Sequence, residues 1–158
     1  MHLKIQWLKK MSDSKDLLRA PFELAYNYKR SNGPVMSKFF EALGEQKILG
    51  TKSSTGKVFS PAAEFDPDTH ESLNDMVEVG PGGSVESFSW VEAPQNHHLI
   101  KEPFAFALIK LDGADSSMLH MIADCNEADL SIGTRVTAAW SETTTKRITD
   151  IKFFTLEK

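Results

Sequence analysis

The chain has 158 residues, of which 41% are hydrophobic and 25% charged, and a formal net charge of -4. That length suits one ordinary domain, or a small one with an extension, burying roughly 68–70% of its unfolded surface, and no apolar run approaches the ~18 residues of a membrane-spanning helix. The acidic balance argues against nucleic acid, whose phosphates draw their affinity from Lys and Arg, and the single cysteine, Cys125, allows no disulfide within these residues and fits a reducing cytoplasm.

The opening MHLKIQWLKK is basic and mildly amphipathic but lacks the apolar core and cleavage site of an export signal, so it reads as a frayed or helical tail in preference to a membrane contact. Residues 12–30 carry Leu17, Leu18, Phe22, Leu24, Ala25 and Tyr28 around Pro21, which predicts a short helix or two with a break. Gly33-Pro34 opens a cleaner helix, since proline loses nothing in a first turn. Val35, Met36, Phe39, Phe40 and Leu43 follow at helical spacing, and Gly44 is placed to stop the run.

Ile48-Leu49 then start a short hairpin segment with Val58-Phe59 at its centre. From residue 76 the texture is that of strands: MVEV, a turn at GPGG (80–83), and SVESFSWV (84–91), where Phe88 and Trp90 share a face. A loop, EAPQNHHLIKEP (92–103), leads into FAFALIKL (104–111), apolar on both faces until Lys110 as a doubly covered strand would be. MLHMIA (118–123), one helical turn in CNEADLSIG, RVTAAW (135–140) and RITDIKFFTLE (147–157) complete the series. Five strands after residue 84, a helical insert between the third and fourth, and no βαβ alternation predict a mainly β protein whose C-terminal part is a five-stranded OB-fold barrel. The expected divisions are an N-terminal helical segment (1–46), a hairpin (47–75) and the barrel (76–158).

No nucleophile motif, Walker loop or dinucleotide fingerprint is present in the sequence, and GPGG opens a strand, not a helix. His97-His98 lacks a third ligand at metal spacing and reads as an exposed loop pair. His120 faces away from Leu119 and Met121, either exposed or lining a groove. Cys125 is followed by acidic NEAD, which disfavours a thiolate. Asp66, Asp68, Glu71 and Asp75 lack the alternation of a calcium loop and read as a solvated turn. Lys29-Arg30, beside Tyr26 and Tyr28, are candidates for the phosphates of coenzyme A, though paired cations are common on surfaces. Val35, Met36, Phe39, Phe40, Trp90, Phe104 and Phe106 are either core or a contact surface for another chain.

The order YKRSNGPVMSKFFEAL, KILGTKSSTGKVFSPAAEFDPDT, SVESFSW, EPFAFALIKLDGADSSMLHMI, LSIGTRVTAAW resembles the zinc-ribbon/OB-fold family associated with acyl-CoA enzymes, from about Tyr26 to Phe154. The resemblance implies a rubredoxin-like ribbon whose four metal positions fall here on Lys52, Thr55, Asp66 and Thr69. None is a cysteine, so the expectation is a degenerate, metal-free hairpin with no cofactor. Zinc supplies ~10–16 kcal/mol in small ribbon-like peptides, whereas burying Val58, Phe59 and Phe65 returns roughly 1.5–3 kcal/mol each; the hairpin must therefore lean on the barrel, the helix or another protein. The resemblance further implies a non-catalytic accessory subunit of a thiolase-superfamily enzyme, a thiolase or retro-aldolase, acting on acyl-CoA in the cytoplasm, in the setting of steroid side-chain degradation and in a heterotetramer with the large subunit. The alternatives are a stand-alone acyl-CoA binding module and, more remotely, a single-stranded nucleic-acid binder.

Overall fold

The computed structural model describes residues 22–157; the basic opening stretch and the helical reading of residues 12–21 lie outside them. The chain divides into one unit ending at Arg30 and another spanning Ser31–Lys158. In the first, residues 22–30 form neither helix nor strand, so the helix expected beyond Pro21 is not found there. The apolar residues give the reason. Phe22, Leu24, Tyr26 and Tyr28 recur every second position, a period that scatters around a helix.

The second unit opens with helix α1, Gly33–Gly44, which has Pro34 in its first turn and buries Val35, Phe39, Ala42 and Leu43. Gly44 does not make the terminating turn. The reversal falls on Gln46, at φ 61°, with Lys47 N–H donating to the Ala42 carbonyl at 2.9 Å. Gly44 is needed for close packing instead: a Cβ there would lie 2.9 Å from Lys146 Cγ, and the Thr144 hydroxyl donates to the Gly44 carbonyl at 2.9 Å.

Strands β1 (Ile48–Lys52), β2 (Val58–Phe59) and β3 (Asp75–Val79) form an antiparallel sheet in the order β2-β1-β3. This sheet is fastened to the turn at 112–116. Val58 N–H donates to Asp115 Oδ2 at 2.8 Å, Asp115 N–H returns a bond to the Val58 carbonyl at 2.7 Å, and Ser116 Oγ accepts from Ser60 N–H at 2.8 Å. Val58 and Phe59 are half-buried, but Phe65 is 59% exposed and adds little burial.

The barrel closes in the order β4-β5-β6-β8-β7, from β4 (Gly82–Val91), β5 (Phe104–Leu111), β6 (Ser117–Ile122), β7 (Arg135–Trp140) and β8 (Ile151–Leu156). β4 pairs with both β5 and β7 and bulges between Val85 and Ser87. Gly83 stands where strands crowd: a Cβ would come 2.6 Å from the Lys110 carbonyl oxygen. A 3-10 turn at Glu127–Asp129 supplies the expected insert, and a second at Ile148–Asp150 delays the start of β8, which had been expected at residue 147. One core runs through helix, sheet and barrel, with Phe39, Leu43 and Ile48 joined to Val85, Ile109, Met118, Ile122, Val136 and Phe154.

Candidate functional site

Strand alternation turns Ala105, Ala107 and Ile109 of β5 into the barrel and Phe106 and Leu108 outward. In β6, Met118, His120 and Ile122 point in, and Leu119 and Met121 point out. Register then sets Phe106 opposite Met121 and Leu108 opposite Leu119. The result is a four-residue apolar square on the outside of the barrel. Phe106 is 38% exposed, Leu108 41% and Leu119 63%. Thus β5 is covered on its outer side only at Phe104, which lies fully buried beside Ala123 and Phe153 under Val91 and Ile100. The expected doubly covered strand is half right.

Two loops raise walls around the square. The loop at 92–103 contributes His97, His98 and Leu99; the 3-10 turn before β8 contributes Ile148 and Thr149. Between them runs a groove of about 320 Å³ floored by Phe106, Leu119 and Met121. β6 and β8 pair in parallel at Ile122↔Phe154, and His120 of β6 is among the residues that line the groove. Strands two and three of the barrel, the loop joining strands one and two, and the loop joining strands four and five are the surfaces with which OB-folds bind ligands. All of them meet in this groove.

His98 does not hang in solvent as its loop position suggested. Its ring stacks edge-on against Phe104 at 5.4 Å and Phe106 at 6.1 Å, and its Nδ1 accepts the Gln95 N–H at 3.0 Å, which leaves the proton on Nε2 in the neutral ring. Lys101 Nζ donates to the carbonyls of Asn96 and His98 and fixes the loop. His120 is 7% exposed, packs edge-on to Phe154 at 5.5 Å, and leaves Nδ1 without a partner. Burial holds its pKa below the ordinary histidine value, against the opposing pull of the Ile148 and Met121 carbonyls, so the ring is neutral at pH 7. Among the described residues, no Lys, Arg, Asp or Glu lines the groove.

The second wall rests on a residue the sequence did not single out. Asp150 is 1% exposed; its Oδ1 accepts Thr145 N–H at 2.8 Å and its Oδ2 accepts Arg147 N–H at 3.2 Å. That carboxylate folds the 144–150 loop so that Ile148 and Thr149 face the groove. The signal available was a lone Asp after a run of threonines, which marks a turn and nothing more.

The remaining candidates are dispersed. Val35, Phe39 and Phe104 are buried at 5%, 1% and 0% exposure, so they pack the protein's own core and offer no surface. Met36, Phe40 and Trp90 are half-buried against that core, with Trp90 Nε1 donating to Glu92 at 2.8 Å. Lys29 and Arg30 are exposed. Cys125 is half-buried, and burial together with Asp129 and Asp124 pushes its thiol pKa up, which leaves it a poor nucleophile.

At the positions where the resemblance implies metal ligands, Lys52, Thr55 and Thr69 are exposed and Asp66 is buried. Asp66 Oδ1 accepts the amides of Asp68 at 2.7 Å and Thr69 at 3.0 Å, while Lys57 pairs with Asp68 at 2.6 Å and Ser54 Oγ donates to Glu71 at 2.7 Å. The two turns are clasped by hydrogen bonds and an ion pair. This donor set does not fit zinc, which needs four thiolate or imidazole ligands in a tetrahedron: it holds a carboxylate already engaged by two amides, two hydroxyls and an ammonium.

Fold and groove together define an OB-fold barrel with an apolar groove on its outer surface. Residues 76–141 match the family described as ChsH2, C-terminal OB-fold domain, and the closed five-stranded barrel is an OB-fold. The chain is similar in structure to a protein of unknown function from the DUF35 family of Sulfolobus solfataricus, with a TM-score of 0.60 at 18% identity over 80% of this chain and 85% of that one. It is likewise similar to a structure described as the Ltp2-ChsH2(DUF35) aldolase, with a TM-score of 0.59 at 17% identity over 81% of this chain and 98% of that one. No curated protein matches.

Proposed function

We propose that this chain is a non-catalytic accessory subunit of a thiolase-superfamily enzyme, a thiolase or retro-aldolase acting on acyl-CoA. It seats its groove against the large subunit and orders the partner's active-site loops and substrate entrance. The observation that carries this reading is the uncharged apolar face at Phe106, Leu108, Leu119 and Met121, on the side where OB-folds bind. Such a face suits the apolar centre of a protein interface; among the described residues it carries none of the cations that single-stranded nucleic acid requires. The likeness to an aldolase complex containing a DUF35 chain supports the choice of partner. Steroid side-chain degradation, a heterotetramer, a cytoplasmic setting and the absence of zinc are the finer parts of the proposal.

Co-purification with the large subunit tests it. Wild-type chain should form a stable complex, and Leu119→Asp, which places a charge on the exposed square without touching the core, should weaken that complex by about tenfold or more, a loss of ~1.4 kcal/mol. Equal binding by the variant, or a wild-type chain that remains alone beside its partner, contradicts the reading.

A groove of about 320 Å³ also lies at the small end of ligand pockets, which favours the acyl-CoA binding module as the second reading. Calorimetric titration of the isolated chain with CoA thioesters separates the two, because a scaffold has no need of tight binding on its own. Lys29 and Arg30 are its candidates for the CoA phosphates.

A further inference from the structure

We propose that residues 22–30 are a linear docking strand that adds to an exposed sheet edge of the catalytic partner, a second contact independent of the groove; the proposal rests on the accessory-subunit reading and names the form its partner must take. The sequence FELAYNYKR places Phe22, Leu24, Tyr26 and Tyr28 at every second position. Each is large and carries apolar surface, and they are 85%, 65%, 76% and 82% exposed. In extended backbone this period puts all four on one side, with Glu23, Ala25 and Asn27 on the other. A helix would spread the four around its circumference. The segment forms neither helix nor strand in the structure, so its pattern is that of a strand without a sheet.

Four such side chains within seven residues are far from the scattered exposure of an ordinary surface. Tyrosine and phenylalanine are enriched where proteins meet, and a peptide added to a sheet edge draws affinity from main-chain hydrogen bonds and specificity from pockets for alternate side chains. The partner surface is thereby specified. It is an unpaired strand edge flanked by apolar pockets about 6.8 Å apart, twice the rise per residue, with carboxylates at the end that receives Lys29 and Arg30.

The experiment is amide hydrogen exchange, read residue by residue by NMR on the full-length chain, free and mixed with the large subunit, with affinities measured in parallel. The expected result is slowed exchange at alternate amides of residues 22–30, as one edge of an added strand pairs. Tyr26→Ser with Tyr28→Ser should raise Kd by about tenfold or more, while Asn27→Ser, on the opposite side, should leave it unchanged. All three positions are exposed, so an unchanged thermal midpoint excludes misfolding. A complex that forms through the groove while residues 22–30 exchange freely and the double variant binds normally overturns this proposal alone. Uniform protection of every amide, as a helix would give, also overturns it. Absence of any complex overturns the accessory reading and this proposal with it.

Discussion

Asp66 is the residue on which the turn at 66–69 depends, since its carboxylate accepts the Asp68 and Thr69 amides. The amides of Thr69 and Asp68 hold its carboxyl below the ordinary value of 3.8, against the opposing effect of burial. A carboxylate whose folded pKa is depressed contributes stability that is present above its unfolded pKa and is lost as pH falls through the folded value. Asp66→Ala should accordingly lower the thermal midpoint by several degrees at pH 7 and by progressively less below pH 4; an unchanged midpoint at pH 7 would contradict the clasp. His120 acts in a different window. Burial depresses its folded pKa below 6.5, so the unfolded chain takes up a proton first and stability declines as pH drops below about 6.5. Urea unfolding at pH 7.5 and 5.5 should show that decline in the wild type and a smaller one in His120→Phe. Equal declines would mean the buried ring does not set it. At Gly83 an added methyl meets the Lys110 carbonyl oxygen at 2.6 Å, a backbone contact that cannot swing aside, and Gly83→Ala should cost about 1–3 kcal/mol.

Among the elements, the barrel strands were legible in the sequence because they alternate, and α1 because its apolar residues recur every three or four positions around Gly33-Pro34. What alternation could not reveal is which outward residues another loop covers. Phe104 and Phe106 read identically in FAFALIKL, yet the loop at 92–103 buries the first and leaves the second at the groove. The same limit hid the apolar square, since it depends on the register of β5 with β6 across the turn DGADSS, and hid Asp150, whose role appears only when its loop closes. Residues 22–30 depart from the helical expectation for another reason: alanine at 25 and leucine at 24 mimic a helical pair, while the two-residue period is the stronger signal. Asp150→Ala leaves the Thr145 and Arg147 amides unpaired and should cost about 1–3 kcal/mol, with loss of binding at the groove exceeding that of a groove-distant variant of equal stability. A variant that loses stability but binds normally would detach Asp150 from the site.

The whole molecule fastens its hairpin to the barrel at Val58, Ser60, Asp115 and Ser116 and packs it with α1 into one core. Purified chain is expected to hold far less than one zinc per molecule, and chelator to leave its thermal midpoint in place; stoichiometric zinc by elemental analysis would contradict this. The barrel surface, for its part, offers an apolar groove whose described lining includes His97, His98 and His120. The most direct test is the rate of acyl-CoA turnover by the large subunit as this chain is titrated in. A saturating rise to a fixed stoichiometry, with none from the chain alone, is the result predicted. A large subunit fully active by itself, or thioester turnover by this chain alone, would contradict it.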